Sequence, residues 1–491
     1  MEIFATAVTA GDLILRFLSG CAAYSDDAEK LQAGFSWDLM IIKTVQGHFD
    51  SLRLRNADKR LSPHEQELFE ITTKRLGTLL GKVQQSLNKI HRKGFLQETI
   101  TRATWFARKA DLEELAEELH RWTQRFNIRL LGLPPTLGIN ISALGNADVP
   151  PVISSNNKLR QFTQLSWQEK QALAKEMLLA HPDALIEKVA GRRDISTRPL
   201  NDGDNQLVFA SRRVPQGEVP GTVAFEDRQF DMGKLAAALN CLDAAADIRL
   251  LKVEYYFYHP DSMQFLFAQI PPSQTTAMST LEKFIALGAQ AVVSLGARLR
   301  LAHKLAEAVF FLHTTGFFHK NITSSSVVIF RRKGSSGAHS SVLDNAYLMG
   351  FDLIRGAEAK TTKEGTVKAP ESMATTIWDF DIFQHPDRLQ GSASPMYINT
   401  YDVYSLGVVL LEVGLWEELA EAVAGLDASN PPAWAEQLSE TPVSNLGPRV
   451  GERYQRLVAW CLGLDGNKIV TEAEFLEMVL DPLESMASAM S

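Results

Sequence analysis

Cysteine is scarce in this chain of 491 residues, which contains only Cys21, Cys241 and Cys461. They lie too far apart in the sequence to form the closely spaced pairs of a disulfide framework or of a zinc site. Isolated thiols are typical of proteins from a reducing compartment, where cysteine behaves as a small buried apolar residue. The sequence therefore predicts neither a disulfide scaffold nor a metal site.

Long hydrophobic runs are missing as well. The longest one, Leu406 to Trp416, is interrupted by Glu412 and is too short to span a bilayer. The amino terminus also lacks the basic segment, apolar run and small-residue cleavage site of a secretory signal. These absences predict a protein that is made in the cytoplasm and stays there at first.

An excess of positive charge is absent too, because 50 lysines and arginines face 58 acidic residues and give a formal net charge of -8. General binding to nucleic acid depends on cations that neutralise phosphates. The sequence therefore predicts no nucleic-acid partner, although a local basic face remains compatible with this balance.

What is present is an ordinary globular composition, with 45% hydrophobic and 22% charged residues. The length predicts two or three domains. Residues 1–135 carry no strand signal, and apolar residues recur at helical spacing along the first segment and after a capping box of Ser62 and Glu65. We therefore predict an N-terminal all-α bundle of four or five helices over residues 1–135.

The composition changes after the predicted bundle. Residues 136–200 are interpreted as a linker with connecting helices, because a Gly-, Pro-, Asn- and Ser-rich stretch precedes a capping box of Ser166 and Glu169. Short β-rich runs follow in residues 201–485, and helices dominate later. The runs are LVFASRR, GTVAFED, IRLLKVEYYFY and MQFLFAQI. The predicted fold class is thus α+β multidomain.

Four segments within residues 201–485 carry a resemblance to a known family. GFFHKNITSSSVVIF, after a long helix, resembles the catalytic loop of protein kinases, and AYLMGFDLIR resembles the strand and turn that bear Asp-Phe-Gly. QHPDRLQG takes the place of Ala-Pro-Glu, and YDVYSLGVVLLEVGLW resembles the central helix of the large lobe. The resemblance implies a two-lobed protein-kinase-like fold.

The residues that transfer a phosphoryl group depart from this pattern. A kinase needs a base beside the substrate hydroxyl, carboxylates on magnesium and a lysine on the nucleotide phosphates. The degenerate positions are His319 and Asn321 for His-Arg-Asp, Ser326 for the magnesium asparagine, Gly350, Phe351 and Asp352 for Asp-Phe-Gly, and Glu226 for the third-strand lysine. We therefore predict a pseudokinase with no catalytic residue and no resident cofactor, which at most binds ATP weakly between its lobes.

The N-terminal segment RATWFARKADLEELAEELHRWTQRFN resembles the end of HeLo-type bundles. Such bundles occur in fungal heterokaryon-incompatibility and programmed-cell-death proteins and, in related form, in the mixed-lineage-kinase-domain-like (MLKL) necroptosis executioner. Together with a pseudokinase, the resemblance implies a regulated cell-death effector. After an upstream protein trigger, its bundle would self-associate and permeabilise the plasma membrane.

Two features of the sequence fit a membrane-acting bundle. The first helix is amphipathic and would lie in a bilayer if released, and cations beside aromatic residues suit anionic lipid headgroups. The candidate residues are Phe4, Val8, Ile14, Leu15, Leu18, Lys89, Arg92, Lys93, Arg102, Trp105, Arg108 and Lys109. An ordinary packed helix and a solvated charged face would explain the same features.

Two other functions stay open. A non-lytic scaffold would use both domains only to bind protein partners, and it predicts no dependence on lipid. An atypical active kinase would need Asp352 to reach the metal and Lys234 or Lys252 to replace the missing lysine. That alternative predicts magnesium-dependent turnover of nucleotide.

Overall fold

The computed structural model describes most of the second half of the chain and parts of the first. The described residues are 2–22, 25–29, 31–32, 35–36, 38–40, 43, 47, 109–114, 116, 119–120, 123, 127–129, 131–132, 151–189, 199–202, 205–215, 217–287, 293–332, 342–350, 355–356, 381–389, 395–423 and 433–490. None of the described helices combines the length and apolarity that crossing a membrane requires.

The chain divides into two compact units, Met1–Ile153 and Ser154–Ser491. In the first unit, helix α1 spans Glu2–Ala22, as its periodicity predicts. The described residues of 26–47 and 109–131 are helical as well. A bundle of four or five helices stays a prediction, because residues 48–108 lie outside the described part of the chain, and with them the predicted helix after Ser62.

Close packing and ion pairs connect the described helices of the first unit. Gly11 of α1 approaches Leu39 so closely that a Cβ atom on the glycine would lie 2.5 Å from Leu39 Cδ1. Lys43 Nζ pairs with Asp12 at 2.8 Å. The buried carboxylate of Asp38 accepts a 2.7 Å hydrogen bond from the hydroxyl of Thr123. Helical segments far apart in sequence therefore meet in this unit.

Three helices lead from the first unit to the sheet of the second: α2 (Pro151–Gln164), α3 (Trp167–Glu176) and α4 (Asp183–Val189). The capping box of Ser166 and Glu169 is confirmed at the start of α3. The Gly-, Pro-, Asn- and Ser-rich stretch of about residues 135 to 160 is predicted to be a linker, and this prediction is wrong over α2. Proline is favoured at the first helical position, and the buried residues Val152, Ile153, Leu159 and Phe162 recur at helical spacing.

A four-stranded antiparallel sheet follows, with strand order β1-β2-β4-β3. Its strands are β1 (Leu200–Asp202), β2 (Asn205–Arg213), β3 (Val253–His259) and β4 (Gln264–Gln269). Three of the β-rich runs are confirmed, but GTVAFED is not a strand. It opens helix α5 (Val223–Asn240), whose Thr222 side chain caps the backbone N–H of Phe225.

The two faces of this sheet pack differently. Leu207 and Phe209 of β2 join Leu185 and Val189 of α4 in one apolar cluster. The opposite face carries α5, because the ring of Phe225 lies 5.0 Å from Tyr258 and 5.4 Å from Phe265. Since side chains alternate along a strand, Val208, Ala210 and Arg212 belong to the face that carries α5.

The rest of the second unit is mainly helical. A second sheet of order β5-β7-β8 and a short pair, β6 with β9, lie among its helices. The strands are β5 (Thr275–Thr280), β6 (Phe317–Phe318), β7 (Val327–Arg332), β8 (Ala346–Leu348) and β9 (Arg355–Gly356). The helices are α6 (Leu281–Ala286), α7 (Leu295–Thr314), α8 (Asn399–Leu415), α9 (Leu419–Ala422), α10 (Trp434–Ser444), α11 (Leu446–Val450), α12 (Glu452–Leu462), α13 (Glu472–Phe475) and α14 (Asp481–Ala489), with a π-helical turn at Leu476–Leu480.

Helix α8 is the centre of this helical part, and every residue from Thr400 to Leu415 is buried. A Cβ atom on Gly407 would lie 2.5 Å from Cys461 Cβ, so α8 and α12 touch at a position where only glycine fits. At the far end, Arg298 and Arg449 donate to the carbonyl oxygens of Gly414 and Leu415, at 3.0 and 2.9 Å. Cations there offset the negative end of the helix dipole.

An ionic cluster around the buried side chain of Glu307 joins α7 to the loop before β3. Glu307 is 4% exposed and lies 2.9 Å from Lys304, whose ammonium also lies 3.5 Å from Asp247. Burial works against ionisation of Glu307, but Lys304 and His303 outweigh it and lower the pKa of that carboxyl to about 2. The Glu307 carboxylate is therefore stabilised by folding.

We expect Glu307→Gln to destabilise the second unit by roughly 2 kcal/mol near neutral pH, because it leaves the half-buried Lys304 without its main partner. A carboxyl with a lowered folded pKa adds stability above its unfolded pKa of about 4.3 and loses it as the pH falls through about 2. The difference in melting temperature between wild type and variant should therefore shrink between those pH values. The exposed Glu477→Gln is the control, and a difference independent of pH would contradict the cluster.

Candidate functional site

The loop after α7 is fastened to α8 by one buried carboxylate. Asp402 of α8 is fully buried and accepts hydrogen bonds from the backbone N–H groups of His319 and Lys320, at 2.7 and 2.8 Å. The ring of His313 and the hydroxyl of Tyr397 add two more, at 3.1 and 2.7 Å. Four donors from three parts of the chain thus converge on the two oxygens of Asp402.

Burial and hydrogen bonds together determine whether Asp402 and His319 are charged. Burial disfavours the ionised form of Asp402, but the hydrogen bond and charge of His313 outweigh it, and the pKa of Asp402 is lowered. Burial lowers the pKa of His319 to about 4 in spite of the nearby Asp402. Neutral His319 donates from Nε2 to the Met349 carbonyl at 3.1 Å and accepts from the Asn321 N–H at 3.3 Å. His319 therefore connects the loop after α7 to the turn after β8.

The backbone of Lys320 is held in a strained conformation, with φ at +62°. A non-glycine residue in the left-handed region costs roughly 1–2 kcal/mol. The bond from its N–H to Asp402 stabilises this conformation, and its ammonium lies 5.0 Å from the centre of the Tyr397 ring. The aliphatic stem and charge of Lys320 are buried, at 1% exposure.

Three of the degenerate positions, Asn321, Ser326 and Gly350, come together at this loop. The Asn321 side chain donates to the Gly350 carbonyl at 3.0 Å. A Cβ atom on Gly350 would lie 3.1 Å from Ser326 Cβ, and Gly350 has a φ of +72°. Ser326 exchanges hydrogen bonds with Thr323 at 2.8 to 3.1 Å. Sequence reasoning identified these positions as one site, and the structure brings them together.

The described residues of this arrangement include no carboxylate of the kind that phosphoryl transfer uses. An amide cannot take a proton as a carboxylate does, and the Asn321 amide is already bound to Gly350. The stretches 319–332 and 346–350 contain no Asp or Glu at all. Among the described residues, no cluster of His, Cys, Asp or Glu has the geometry of a metal site. Phe351 and Asp352 lie outside the described residues.

The prediction that Glu226 occupies the third-strand lysine position is wrong. Glu226 lies in the first turn of α5, and the strand that pairs with β4 in the middle of the sheet is β2. That strand carries Arg212 on the face of α5, at 7% exposure. Phe209-Ala210-Ser211-Arg212 places an alanine two residues before a cation, as Val-Ala-Ile-Lys does. Arg212 is therefore the cation whose place on the strand resembles that of the kinase lysine, and sequence reasoning missed it.

The two lysines considered as replacements lie elsewhere. Lys234 is on α5, where it pairs with Asp231 at 2.6 Å and lies 4.5 Å from the centre of the Phe230 ring. Lys252 precedes β3 and pairs with Glu254 at 3.0 Å. Neither belongs to β2, so the rescue through a displaced lysine has no support in the sheet.

Apolar side chains fill the space between β2 and the hairpin of β7 and β8. Val208 is fully buried in a cluster with Met278, Phe330, Tyr347 and Met349, which Ala210 and Val328 also contact. The rings of Phe330 and Tyr347 lie 5.3 Å apart. This cluster connects the four-stranded sheet to the loop that holds Gly350.

The segment HPD is fastened to the same central helix. His385 lies between short 3-10 turns at Asp381–Phe383 and Pro386–Leu389, and Pro386 and Asp387 begin the second turn. The hydroxyl of Ser405 on α8 donates to the Phe383 carbonyl at 2.6 Å, and the ring of His385 donates to the Leu464 carbonyl at 3.1 Å. The tripeptide at 369–371 that spells Ala-Pro-Glu lies outside the described residues.

Few of the membrane candidates can be placed. Ile14 and Leu18 of α1 are buried, Leu15 is half-buried, and the side chains of Phe4 and Val8 are outside the description. Lys109 pairs with Asp27 at 2.6 Å. Lys89, Arg92, Lys93, Arg102, Trp105 and Arg108 lie outside the described residues. The apolar face of α1 is thus packed inside the first unit, as an ordinary bundle helix would be.

Comparison with known proteins finds similarity only among solved structures. No family model and no curated protein sequence matches the chain. A chain of the CAK complex from Chaetomium thermophilum, solved with ATP-gamma-S, is 16% identical with a TM-score of 0.36, over 60% of this chain and 94% of that one. Vaccinia related kinase 3 is 16% identical with a TM-score of 0.37, over 58% of this chain and 81% of that one.

The second unit has a protein-kinase-like arrangement, and this description rests on its own elements. The four-stranded antiparallel sheet carries helix α5 on one face. It precedes the long helix α7, a loop of the His-Arg-Asp type and the β7–β8 hairpin. That loop is fastened to a buried central helix, and the turn after β8 stands in the place of Asp-Phe-Gly. The two-lobed order predicted from the sequence is therefore present.

We expect Asp402→Asn to lower the stability of the second unit by roughly 3 kcal/mol or more. The new amide group would direct its own donors at N–H groups that now donate to a carboxylate, and each bond to a charged group is worth about 1.5–3 kcal/mol. Thermal unfolding of the full chain measures the effect, with the exposed Asp261→Asn as the matched control. Equal melting temperatures for the two variants would show that Asp402 is not the anchor.

Proposed function

We propose that the second unit is a pseudokinase, a kinase-like domain that regulates other parts of the protein by binding and conformation and does not transfer phosphate. The observation that carries this proposal is the condition of the loop site. Asn321, Ser326 and Gly350 are bonded or packed against one another, and no carboxylate stands in either stretch of the loop. Phosphoryl transfer depends on carboxylates that hold magnesium and receive a proton. The retained Arg212 is compatible with binding of an anion such as a nucleotide phosphate.

The active-kinase alternative is tested with magnesium, radiolabelled ATP and the full-length chain. We expect no transfer of label to the chain or to a generic protein substrate above a heat-denatured control. Asp352→Asn should leave that background unchanged, because Asp352 lies two residues from the position of the metal carboxylate. Magnesium-dependent transfer that disappears in Asp352→Asn would overturn the pseudokinase proposal.

The output of the pseudokinase is proposed to be the first unit, acting on membranes as a regulated cell-death effector. Supporting this, α1 buries Ile14, Phe17, Leu18 and Cys21 in the folded unit and would expose one continuous apolar face if released. The resemblance to HeLo-type bundles supports the same output. In the resting state the chain is cytoplasmic, and on activation by a protein trigger it self-associates and moves to the anionic plasma membrane.

A vesicle experiment tests this output. Residues 1–153 and the full chain are added to dye-filled vesicles, either anionic or neutral, after circular dichroism has established that the fragment is helical. We expect release by the fragment from anionic vesicles only, and at least tenfold less by the full chain, because the second unit restrains the first. A charge-removing variant replaces Lys89, Arg92 and Lys93 by glutamine, which should reduce release by removing attraction to lipid headgroups.

A helical, monodisperse fragment that neither binds nor opens anionic vesicles would contradict membrane action. The pseudokinase would then be better described as a non-lytic scaffold that binds protein partners.

A further inference from the structure

The segment Ser166–Leu179, here called the clamp, lies on the small sheet and its helix at two places. It consists of the capping residue Ser166, helix α3 and the three residues after it, Met177, Leu178 and Leu179. In the sequence it stands between α2, which begins at the end of the first unit, and the sheet of the second unit. Any movement of the sheet that reaches α2 along the chain therefore passes through the clamp.

The first contact is between two helices without space for another side chain. A Cβ atom on Gly233 of α5 would lie 2.7 Å from the Cβ of Ala174 and 2.8 Å from its carbonyl oxygen. The same atom would lie 2.9 Å from the hydroxyl of Tyr256. Beside this contact, the rings of Trp167 and Phe230 lie 5.5 Å apart. The position of α3 thus depends on the position of α5.

The second contact is at the edge of the sheet. The N–H of Tyr256 in β3 donates to the Met177 carbonyl, and the N–H of Leu179 donates to the Tyr256 carbonyl, both at 2.9 Å. Leu178 and Tyr256 form a parallel bridge. Since β3 is the last strand in the order β1-β2-β4-β3, the clamp covers an edge that would otherwise expose unpaired backbone groups.

The clamp buries few of its side chains. Ala174 and Met177 are buried and Leu179 is half-buried against the cluster under the sheet, whereas Trp167 is 62% exposed. The next helix, α4, contributes Leu185 and Val189 to the core under the sheet. Segments with few buried apolar contacts open at lower free energy than the core. The clamp therefore combines a specific seat with a weak attachment.

We propose that the clamp is a conformational device that leaves α5 and the edge of β3 as one unit while the sheet remains folded. When the clamp is seated, α3 fixes α5, and when it is free, α5 and the edge of β3 lose these contacts while α2 stays bonded to Thr314. For its output this inference rests on the proposed function, since it names the element by which the pseudokinase would regulate the first unit. Its test does not depend on membranes.

Native-state hydrogen exchange of the full chain tests the clamp. The amides of Leu179 and Tyr256 should exchange together, at least tenfold faster than the amide of Phe257. Phe257 is the matched reference, because successive N–H groups of a strand point to opposite sides and its own points toward β4. Exchange of Leu179 and Tyr256 at the rate of Phe257 would mean that the clamp opens only with the sheet, and would overturn the proposal.

Gly233→Ala adds a direct control. Its Cβ atom would lie 2.7 Å from the Cβ of Ala174, so the substitution should push the clamp from α5. We expect exchange at Leu179 and Tyr256 to become at least tenfold faster, with Phe257 unchanged. Unchanged exchange at Leu179 and Tyr256 would contradict the contact between α3 and α5.

A milder variant keeps the test valid if the Gly233→Ala protein does not fold. Ala174→Gly removes the one buried side chain of α3 and should speed exchange at Leu179 and Tyr256 at least threefold, with Phe257 unchanged. Equal acceleration at all three amides, or none, would overturn the clamp. Failure of the vesicle experiment with these exchange results intact would refute the membrane output and leave the clamp in place.

Discussion

The second unit depends on the buried carboxylate of Asp402. A charge removed from water is costly unless donors replace the lost solvation, and here four donors do so. Because two of them are consecutive backbone N–H groups, the carboxylate fixes the loop after α7 and maintains the strained backbone of Lys320. The positions of His319, Asn321 and, through them, Met349 and Gly350 follow from this one anchor.

The anchor explains how the loop keeps its shape with Asn321 and Ser326 at the positions that resemble the kinase base and magnesium ligand. The four donors to Asp402 are two backbone N–H groups, an imidazole ring and a phenol hydroxyl, and neither of those two side chains is among them. The shape of the loop therefore does not depend on the side chains at these positions, provided that they satisfy one another. Asn321 does so with the Gly350 carbonyl, and Ser326 does so with Thr323.

In the four-stranded sheet, a strand-like sequence pattern predicted one strand correctly and another wrongly. LVFASRR and GTVAFED both look like strands that carry a charged residue. Only LVFASRR is a strand, because pairing with β4 selects it. Thr222 caps a helix at the start of GTVAFED, where Phe225 then packs under the sheet. An alanine two residues before Arg212 was the available signal for the retained cation, and the competing Val223-Ala224-Phe225-Glu226 obscured it.

The sequence by itself determined which loop positions carry no carboxylate, and the order of the main elements. Side-chain identity alone shows that Asn321, Ser326 and Gly350 supply no carboxylate. Local periodicity predicts α1, and the resemblance of short segments to protein kinases predicts α7, β7 and α8. The tertiary structure alone decided which strand lies in the middle of the sheet, that Arg212 and not Glu226 belongs to it, and that the clamp covers the edge of β3. The physical reason is range: helical periodicity and residue chemistry are local, whereas strand pairing and burial depend on contacts between residues far apart in the chain.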